Sequence, residues 1–341
     1  MSWRRALLAL FMLAGLGIWW LGSPASPPTR GEAELAKKNV GPVFHKRRVL
    51  ASEPPKPRAT RKQELPDISL IDAGNEPREL LRLQLEQGIR QELVLDLKVV
   101  VATALGQQQA PRVQMPTLRI HALLEVTGIT DAGHAHTEFT IQFVRVLEAP
   151  GVMPGLSKAM RDGMSHIEGY RGYLVVDDRG RTHEAEFDIS DDLPDEIKQM
   201  LEGLHMAMNQ LTLPLPKDPV GPGASWAVLT KRVKPSGVFL DQTVTYQIEQ
   251  YGDDEVALGF EILQTADSQK LEFPNLPEGA EVRLTTLASN GGGHSVLPLA
   301  QILPRKSHLE MASEIQMTVS LGTLREPAAM FMDVELTILE Q

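Results

Sequence analysis

Apolar and polar residues alternate along most of the chain beyond residue 80, and this period of two predicts β-strands. Leu93, Leu95 and Leu97 share one face of the first run, while Asp96 lies on the other face. Similar runs occupy residues 118–126, 139–143, 185–189, 244–248, 256–262, 309–319 and 330–341. Short polar turns rich in Asp and Gly separate several of these runs, which is typical of antiparallel hairpins with one buried face. The pattern therefore predicts a mainly β (α+β) fold.

A helical period replaces the alternation at about residues 192–209, which predicts one amphipathic helix. Asp191 or Asp192 can cap its start, and Pro194 suits its first turn. Its apolar stripe consists of Leu193, Ile197, Met200, Leu201, Leu204 and Met208. The segment 210–223 follows with four prolines, which exclude a continued helix.

The strand-rich segments on the two sides of this helix resemble each other. TLRIHALLEVTGITDAGHAHTEFTIQF and QTVTYQIEQYGDDEVALGFEI both read as a strand, a polar turn and a second strand. We interpret this as an internal repeat, with chance similarity between two amphipathic hairpins as the alternative. The fold predicted for residues 80–341 has two similar antiparallel meander halves, 80–190 and 224–341. They form a curved sheet or a sandwich that packs around helix 192–209.

Two smaller features interrupt the strands. Residues 155–166 predict a short helical insertion around Met160 and Met164. The triplet Gly291-Gly292-Gly293 predicts a turn, because it lacks the helix and the lysine of a phosphate-binding loop.

The N-terminus has the pattern of an export segment. Arg4 and Arg5 precede an uncharged apolar run at residues 6–21, and small residues follow it. Residues 1–22 are therefore predicted to be a cleaved signal peptide or a retained membrane anchor, and both alternatives stay open. Positive charges after the run, beginning at Arg30, oppose the usual orientation of such an anchor. The expected location is the periplasm or cell envelope, with membrane contact through residues 6–21 if the segment is uncleaved.

Residues 23–79 are rich in Pro, Lys and Arg without a sustained period, which predicts a disordered linker. Residues 30–62 carry a net charge of +7, whereas residues 63–341 carry −19, so the whole-chain value of −10 combines a basic arm with an acidic body. The arm is predicted either to contact an anionic surface or to act as a solvated spacer. The acidic body argues against nucleic acid as a partner.

The segment LPKDPVGPGASW, residues 215–226, carries the one family resemblance in the chain. Together with the preceding hairpin and helix it resembles a group of exported bacterial β-rich proteins of unknown activity that share a P-V-x-x-G-x-x-W element. The resemblance covers roughly residues 80–265 and implies an exported β-rich domain without a known activity. It also implies structural roles for Gly223 in a turn and for Trp226 at the start of the next strand. Many members look like lipoproteins, but this chain has no cysteine, so lipid anchoring does not follow.

Residues with catalytic or metal-binding chemistry form no complete constellation in the sequence. The absence of cysteine excludes disulfides and thiol chemistry. His134 and His136 lie on one side of a strand, with Glu138 as the best third ligand, and these are weak candidates for a zinc or copper site. We expect no metal, no cofactor and no catalytic residue, because an ordinary wet strand face explains all three candidates.

These observations predict an exported envelope protein that is a non-catalytic binding or interaction module. The alternative is a carrier or sensor of an apolar ligand such as a lipid, held between the curved sheet and the helix. In that alternative the six residues of the helical stripe would line the ligand site. A hydrolase is the third and least favoured hypothesis.

Overall fold

The computed structural model of the protein describes residues 65–148, 151–152, 155–165, 167–187, 212–233, 238–271, 276 and 279–341. The predicted export segment 1–22, the basic arm 30–62 and the predicted helix 192–209 with its six stripe residues lie outside these ranges. Within the described part, no helix combines the length and the apolar character needed to span a bilayer.

The described chain is almost entirely strand. The strands are β1 (Asp67–Asp72), β2 (Arg90–Leu105), β3 (Gln108–Gln109), β4 (Val113–Gln114), β5 (Thr117–Ile129), β6 (Ala135–Leu147), β7 (Arg171–Val176), β8 (Thr182–Phe187), β9 (Ser225–Val233), β10 (Leu240–Tyr251), β11 (Glu255–Ala266), β12 (Gln269–Leu271), β13 (Ala280–Pro298), β14 (Lys306–Leu321) and β15 (Leu324–Glu340). Among the described residues the one helix is α1 (Leu156–Met164), which packs Met160 and Met164 into the core. The predicted mainly β fold and the short helical insertion are therefore confirmed.

All strands belong to one antiparallel sheet rather than to two stacked sheets. Its order is β1-β9-β10-β11-β13-β14-β15-β2-β5-β6-β7-β8, with β12 beside β13 and with β3 and β4 beside β2. The two halves of the chain meet where β15 pairs with β2, along Ala328–Glu340 and Leu93–Leu105. Each half is a meander, and the last strand of the second half lies next to the first long strand of the first half.

Two sequence predictions need correction. The predicted linker ended at residue 79, but Asp67–Asp72 forms β1 and pairs with β9. That strand is too short for its alternation to stand out between proline-rich flanks. The triplet at 291–293 is not a turn but the middle of β13, paired with β11 and β14. There the absence of side chains serves close strand contact and not a chain reversal.

Three apolar cores lie on the same face of this sheet, which we call the inner face. The first core joins β5, β6 and β7 with α1 and includes Leu118 and Phe139. The second core joins β9, β10 and β11 and includes Trp226 and Leu258. The third core lies toward the other end of β13, β14, β15 and β2 and includes Met317. The partly buried Leu85 contacts the first two cores.

The two ends of the sheet meet at two irregular segments, residues 79–84 and 212–220, which we call the clasp. On the β9 side, the indole Nε1 of Trp226 donates a hydrogen bond to the Pro214 carbonyl (2.9 Å). On the β8 side, the Leu215 amide donates to the Arg179 carbonyl (2.8 Å) and the Leu83 amide to the Asp178 carbonyl (2.7 Å). The clasp therefore connects the edge strands β1 and β8, which do not pair with each other.

Local geometry explains why the clasp has its sequence. The prolines leave it without regular structure, while Leu213, Leu215 and Val220 are buried. Gly223 has a φ of 81°, a left-handed conformation that glycine adopts without the strain of a side chain. It turns the chain into β9, where Trp226 is fully buried.

Candidate apolar binding site

The inner face is not uniformly buried. Along β14 the inward side chains of Ser307, Ser313 and Ile315 are buried, whereas Leu309 and Met311 between them are partly exposed. On β2, β13 and β15 the inward positions also change from buried to partly exposed at this level of the sheet. On β11 the inward positions are partly exposed from this level onward. Solvent therefore reaches the middle of the inner face between levels that are largely dry.

Strand register places the partly exposed positions in two neighbouring rows across five strands. The first row is Phe260, Gly293, Leu309, Leu336 and Leu97. The second row is Ile262, Gly291, Met311, Val334 and Val99. We call these ten residues the apolar slot. With strands about 4.8 Å apart and inward positions about 7 Å apart along a strand, the slot is about 19 Å long and at least about 7 Å wide.

Glycine forms the floor of the slot on β13. A Cβ on Gly291 would lie 2.5 Å from the backbone oxygen of Glu310, and a Cβ on Gly293 would overlap the backbone oxygen of His308. These contacts mean that the β14 backbone leaves no room for a side chain at either position, which only glycine permits. The Phe260 ring lies beside Gly293, 2.9 Å from where its Cβ would be, and covers the exposed backbone.

Aromatic residues close the β9 end of the slot. Trp226, Tyr246 and Phe260 are register partners, with ring centroids 5.6 Å apart for the first pair and 6.0 Å for the second. Burial raises the pKa of the Tyr246 hydroxyl strongly, so this hydroxyl stays neutral. The aromatic end is therefore apolar and uncharged.

On the described strands of the slot, charged side chains at this level lie on the outer face. No inward position on β2, β10, β11, β13 or β14 carries a charged residue, and on β15 inward charges occur only near its ends, at Glu326 and Glu340. On the outer face of the same strands, Lys98 pairs with Glu335 (2.7 Å). The slot is thus a neutral, apolar surface in a body of net negative charge.

A second cluster, around Asp177, has the residue types of a catalytic site but serves the clasp. Its Oδ1 accepts hydrogen bonds from the backbone amides of Arg179 and Arg181, and its Oδ2 accepts from the Arg181 side chain and from His183 (3.0 Å). Burial raises the pKa of Asp177, but the bonds from His183 and Arg181 outweigh burial and hold the pKa below its usual value. Both oxygens are engaged in fixing the β7–β8 turn, and the Asp178 and Arg179 carbonyls of that turn accept the bonds from the clasp.

The candidate metal ligands of the sequence are not brought together around one point. The His134 ring stacks on His183 (4.2 Å between centroids), while His136 stacks on Tyr173 and bonds through Nδ1 to the Thr127 hydroxyl (2.9 Å). Glu138 is exposed on β6. In the described ranges, no group of three His, Asp or Glu side chains is placed to hold a metal ion.

Sequence reasoning did not identify the slot. The alternation shows that Leu309, Met311 and Val334 face inward, but every inward residue of a strand has the same pattern whether or not it is covered. The one usable signal was SNGGGHS in β13, where small residues interrupt an apolar face and mark close strand contact.

Comparison with known proteins adds no relative. No protein-family model matches the chain, and no curated protein matches it. Among solved structures, one match is the "TodX deltaS2S3 mutant monoaromatic hydrocarbon channel", at 10% sequence identity and a TM-score of 0.16. That match covers 75% of this chain and 91% of the other. A likeness at this TM-score has no bearing on fold or function.

Proposed function

We propose that the protein is a non-catalytic binding protein of the cell envelope that holds an elongated apolar ligand, such as a lipid chain, in the apolar slot. The observation that carries the proposal is the contiguous pair of apolar rows that stay partly exposed between buried levels of the inner face. A long, narrow and uncharged surface suits a chain-like ligand better than a compact polar one. The slot favours the carrier over a general interaction module.

The export part of the proposal rests on the N-terminal pattern alone. Arg4 and Arg5, the apolar run 6–21 and the linker would place the body outside the inner membrane. Native mass spectrometry of the protein purified from its own host would give the mature N-terminus and any retained ligand together. A protein that stays in the cytosol with an intact N-terminus would contradict this part.

Binding to the slot can be tested with diphenylhexatriene, a neutral rod-shaped hydrocarbon that fluoresces in apolar surroundings. We expect saturable fluorescence with the full chain. Met311→Glu should weaken binding at least tenfold, because it places a charge in the middle of the slot. The matched control is Leu263→Glu, on the outer face of β11, where the leucine is 59% exposed. This control should bind like the unaltered protein.

Far-UV circular dichroism of each variant checks that the sheet is intact, and the milder Met311→Gln serves if the glutamate variant does not fold. Competition by unbranched chains adds a graded readout, because each buried methylene contributes about 0.8 kcal/mol, or about fourfold in Kd. Affinity should rise with chain length and then level off. The proposal would be overturned if the full chain showed no saturable binding of diphenylhexatriene. The same result is expected if the predicted stripe at 193–208 occupies the slot itself.

A further inference from the structure

A row of neutral polar side chains runs along one edge of the apolar slot. Gln242, Gln264, Ser289 and Ser313 are register partners on β10, β11, β13 and β14. They lie one inward position beyond Ile262, Gly291 and Met311. We call these four residues the polar row.

The hydrogen-bonding capacity of the polar row is only partly used. The Gln264 Nε2 donates to the Gln242 Oε1 (2.7 Å). This bond leaves the Gln242 Nε2 as a donor and the Gln264 Oε1 as an acceptor. The Ser289 and Ser313 side chains are 5% and 7% exposed, and their hydroxyls make no hydrogen bond to another described residue. Their oxygens are not sealed off, because the buried hydroxyls without a partner in the described ranges are those of Thr103 and Thr137.

The opposite edge of the slot is different. Ser295 and Ser307, also on β13 and β14, are buried and bond to each other through their hydroxyls (2.8 Å). That pair is satisfied without a ligand. The two edges therefore offer different chemistry, and the polar row is the edge with donors and acceptors to spare.

We infer that the slot takes an amphiphile with an uncharged, hydrogen-bonding head group, such as the hydroxyl and ester groups of an acylglycerol, and that the head lies on the polar row. This inference rests on the proposed function and names its ligand class. On the described strands that form the slot and the polar row, no cationic side chain faces inward at this level, so a carboxylate or phosphate head would lie there without a counter-charge. A neutral head can instead donate to, or accept from, the Ser289 and Ser313 hydroxyls without a charge being buried.

The test compares displacement of diphenylhexatriene by 1-monopalmitoylglycerol and by palmitate at pH 8, with the full chain. Monopalmitoylglycerol should bind at least tenfold more tightly than palmitate. The double variant Ser289→Ala/Ser313→Ala should lose about tenfold in monopalmitoylglycerol affinity while its affinity for diphenylhexatriene stays the same. The control Ser295→Ala/Ser307→Ala removes a self-satisfied pair at the other edge and should leave both affinities unchanged.

The outcomes separate the two claims. Absence of diphenylhexatriene binding overturns the proposed function. Normal diphenylhexatriene binding with equal affinity for palmitate and monopalmitoylglycerol overturns the ligand class and leaves the slot intact. If the Ser289→Ala/Ser313→Ala variant loses affinity equally for diphenylhexatriene and monopalmitoylglycerol, the serines shape the slot and do not recognise the head. That result also overturns the inference.

Discussion

At one end of the sheet, the β7–β8 turn that meets the clasp is fixed by a single buried carboxylate. Asp177 is 3% exposed and accepts bonds from two backbone amides, one guanidinium and one imidazole. Its neighbour Asp178 is mostly exposed and pairs with Arg82 at 3.5 Å. Asp177 therefore contributes much more to stability than Asp178, because only the Asp177 carboxylate is desolvated with both oxygens bonded.

Asp177→Asn should destabilise the protein by about 2–4 kcal/mol, because an amide nitrogen then faces donors and the charge is lost. Asp178→Asn is the matched control and should cost less than about 1 kcal/mol. Urea denaturation measures both.

Because the folded pKa of Asp177 is lowered, its contribution to the free energy of unfolding is present above the unfolded pKa of about 3.9. This contribution disappears as pH falls through the folded pKa. A penalty unchanged below pH ~3 would contradict this assignment.

The pKa of His121 is also lowered, but here the cause is that the fold disfavours the charged form of the side chain. It is 9% exposed on the outer face and stacks on Phe143, and its Nε2 has no partner among the described residues. Burial lowers its pKa, and the charges of Arg145 and Arg119 lower it further against the opposing effect of Asp96. The unfolded chain therefore takes up a proton first as pH falls.

The unaltered protein should accordingly lose stability relative to His121→Phe as pH falls below about 6.5, the unfolded value. At pH 8 the variant should be equally stable or more stable, because a buried orphan nitrogen is removed and the stack on Phe143 is kept. Thermal melts of both proteins between pH 8 and pH 5 measure the difference. Parallel stability curves over this range would show that His121 does not titrate differently on folding.

At the scale of strands, the same device occurs in both halves of the sheet. Phe139 on β6 lies over its register partner Gly172 on β7, and Phe260 on β11 lies over Gly293 on β13. Each phenylalanine is in the second strand of the similar hairpins. An aromatic ring over a strand glycine restores packing where two strands come close. We take this correspondence as support for the proposed internal repeat.

Gly293→Ala should destabilise the protein by about 2–3 kcal/mol, because the new methyl group overlaps the His308 carbonyl and displaces Phe260. Gly128→Ala is the matched control, since this β5 glycine has open space around its Cβ position. Its cost should be close to zero or negative, because alanine restricts the unfolded chain. Guanidinium denaturation of both variants distinguishes a general glycine effect from the strand contact. Equal costs would contradict the role assigned to Gly293.

Local patterns predicted the hairpins well and their arrangement poorly. The alternation at 118–126 and 244–248, with a polar turn after each run, was enough for β5–β6 and β10–β11, because turn and period are local. The pairing of β15 with β2 has no local signal, since its partners are more than two hundred residues apart. The exposure that defines the slot depends on what covers each inward side chain. For the same reason the sequence could not identify Leu309 or Met311 as site residues.

At the scale of the whole molecule, the two halves share one sheet and one clasp. The β2–β15 ladder joins them along two long strands, and the clasp joins the far ends. Each half alone would expose a long unpaired edge together with the apolar inner face. Such edges pair with other chains, so neither half should be an independent folding unit.

Expressing residues 1–211 and 212–341 as separate polypeptides tests this directly. Each should be insoluble or lack cooperative unfolding alone, while co-expression should give a soluble one-to-one complex with the circular dichroism of the intact chain. The physical reason is that the cut leaves every described strand whole and only the covalent link is lost. The fluorescence of Trp226 reports on docking. Its indole bonds to Pro214 in the clasp, and the clasp is complete only when the β7–β8 turn of the first fragment is bound to it. A soluble, cooperatively unfolding 212–341 fragment would show that the second half is a domain in its own right, and that the β2–β15 ladder is an interface between two folded units.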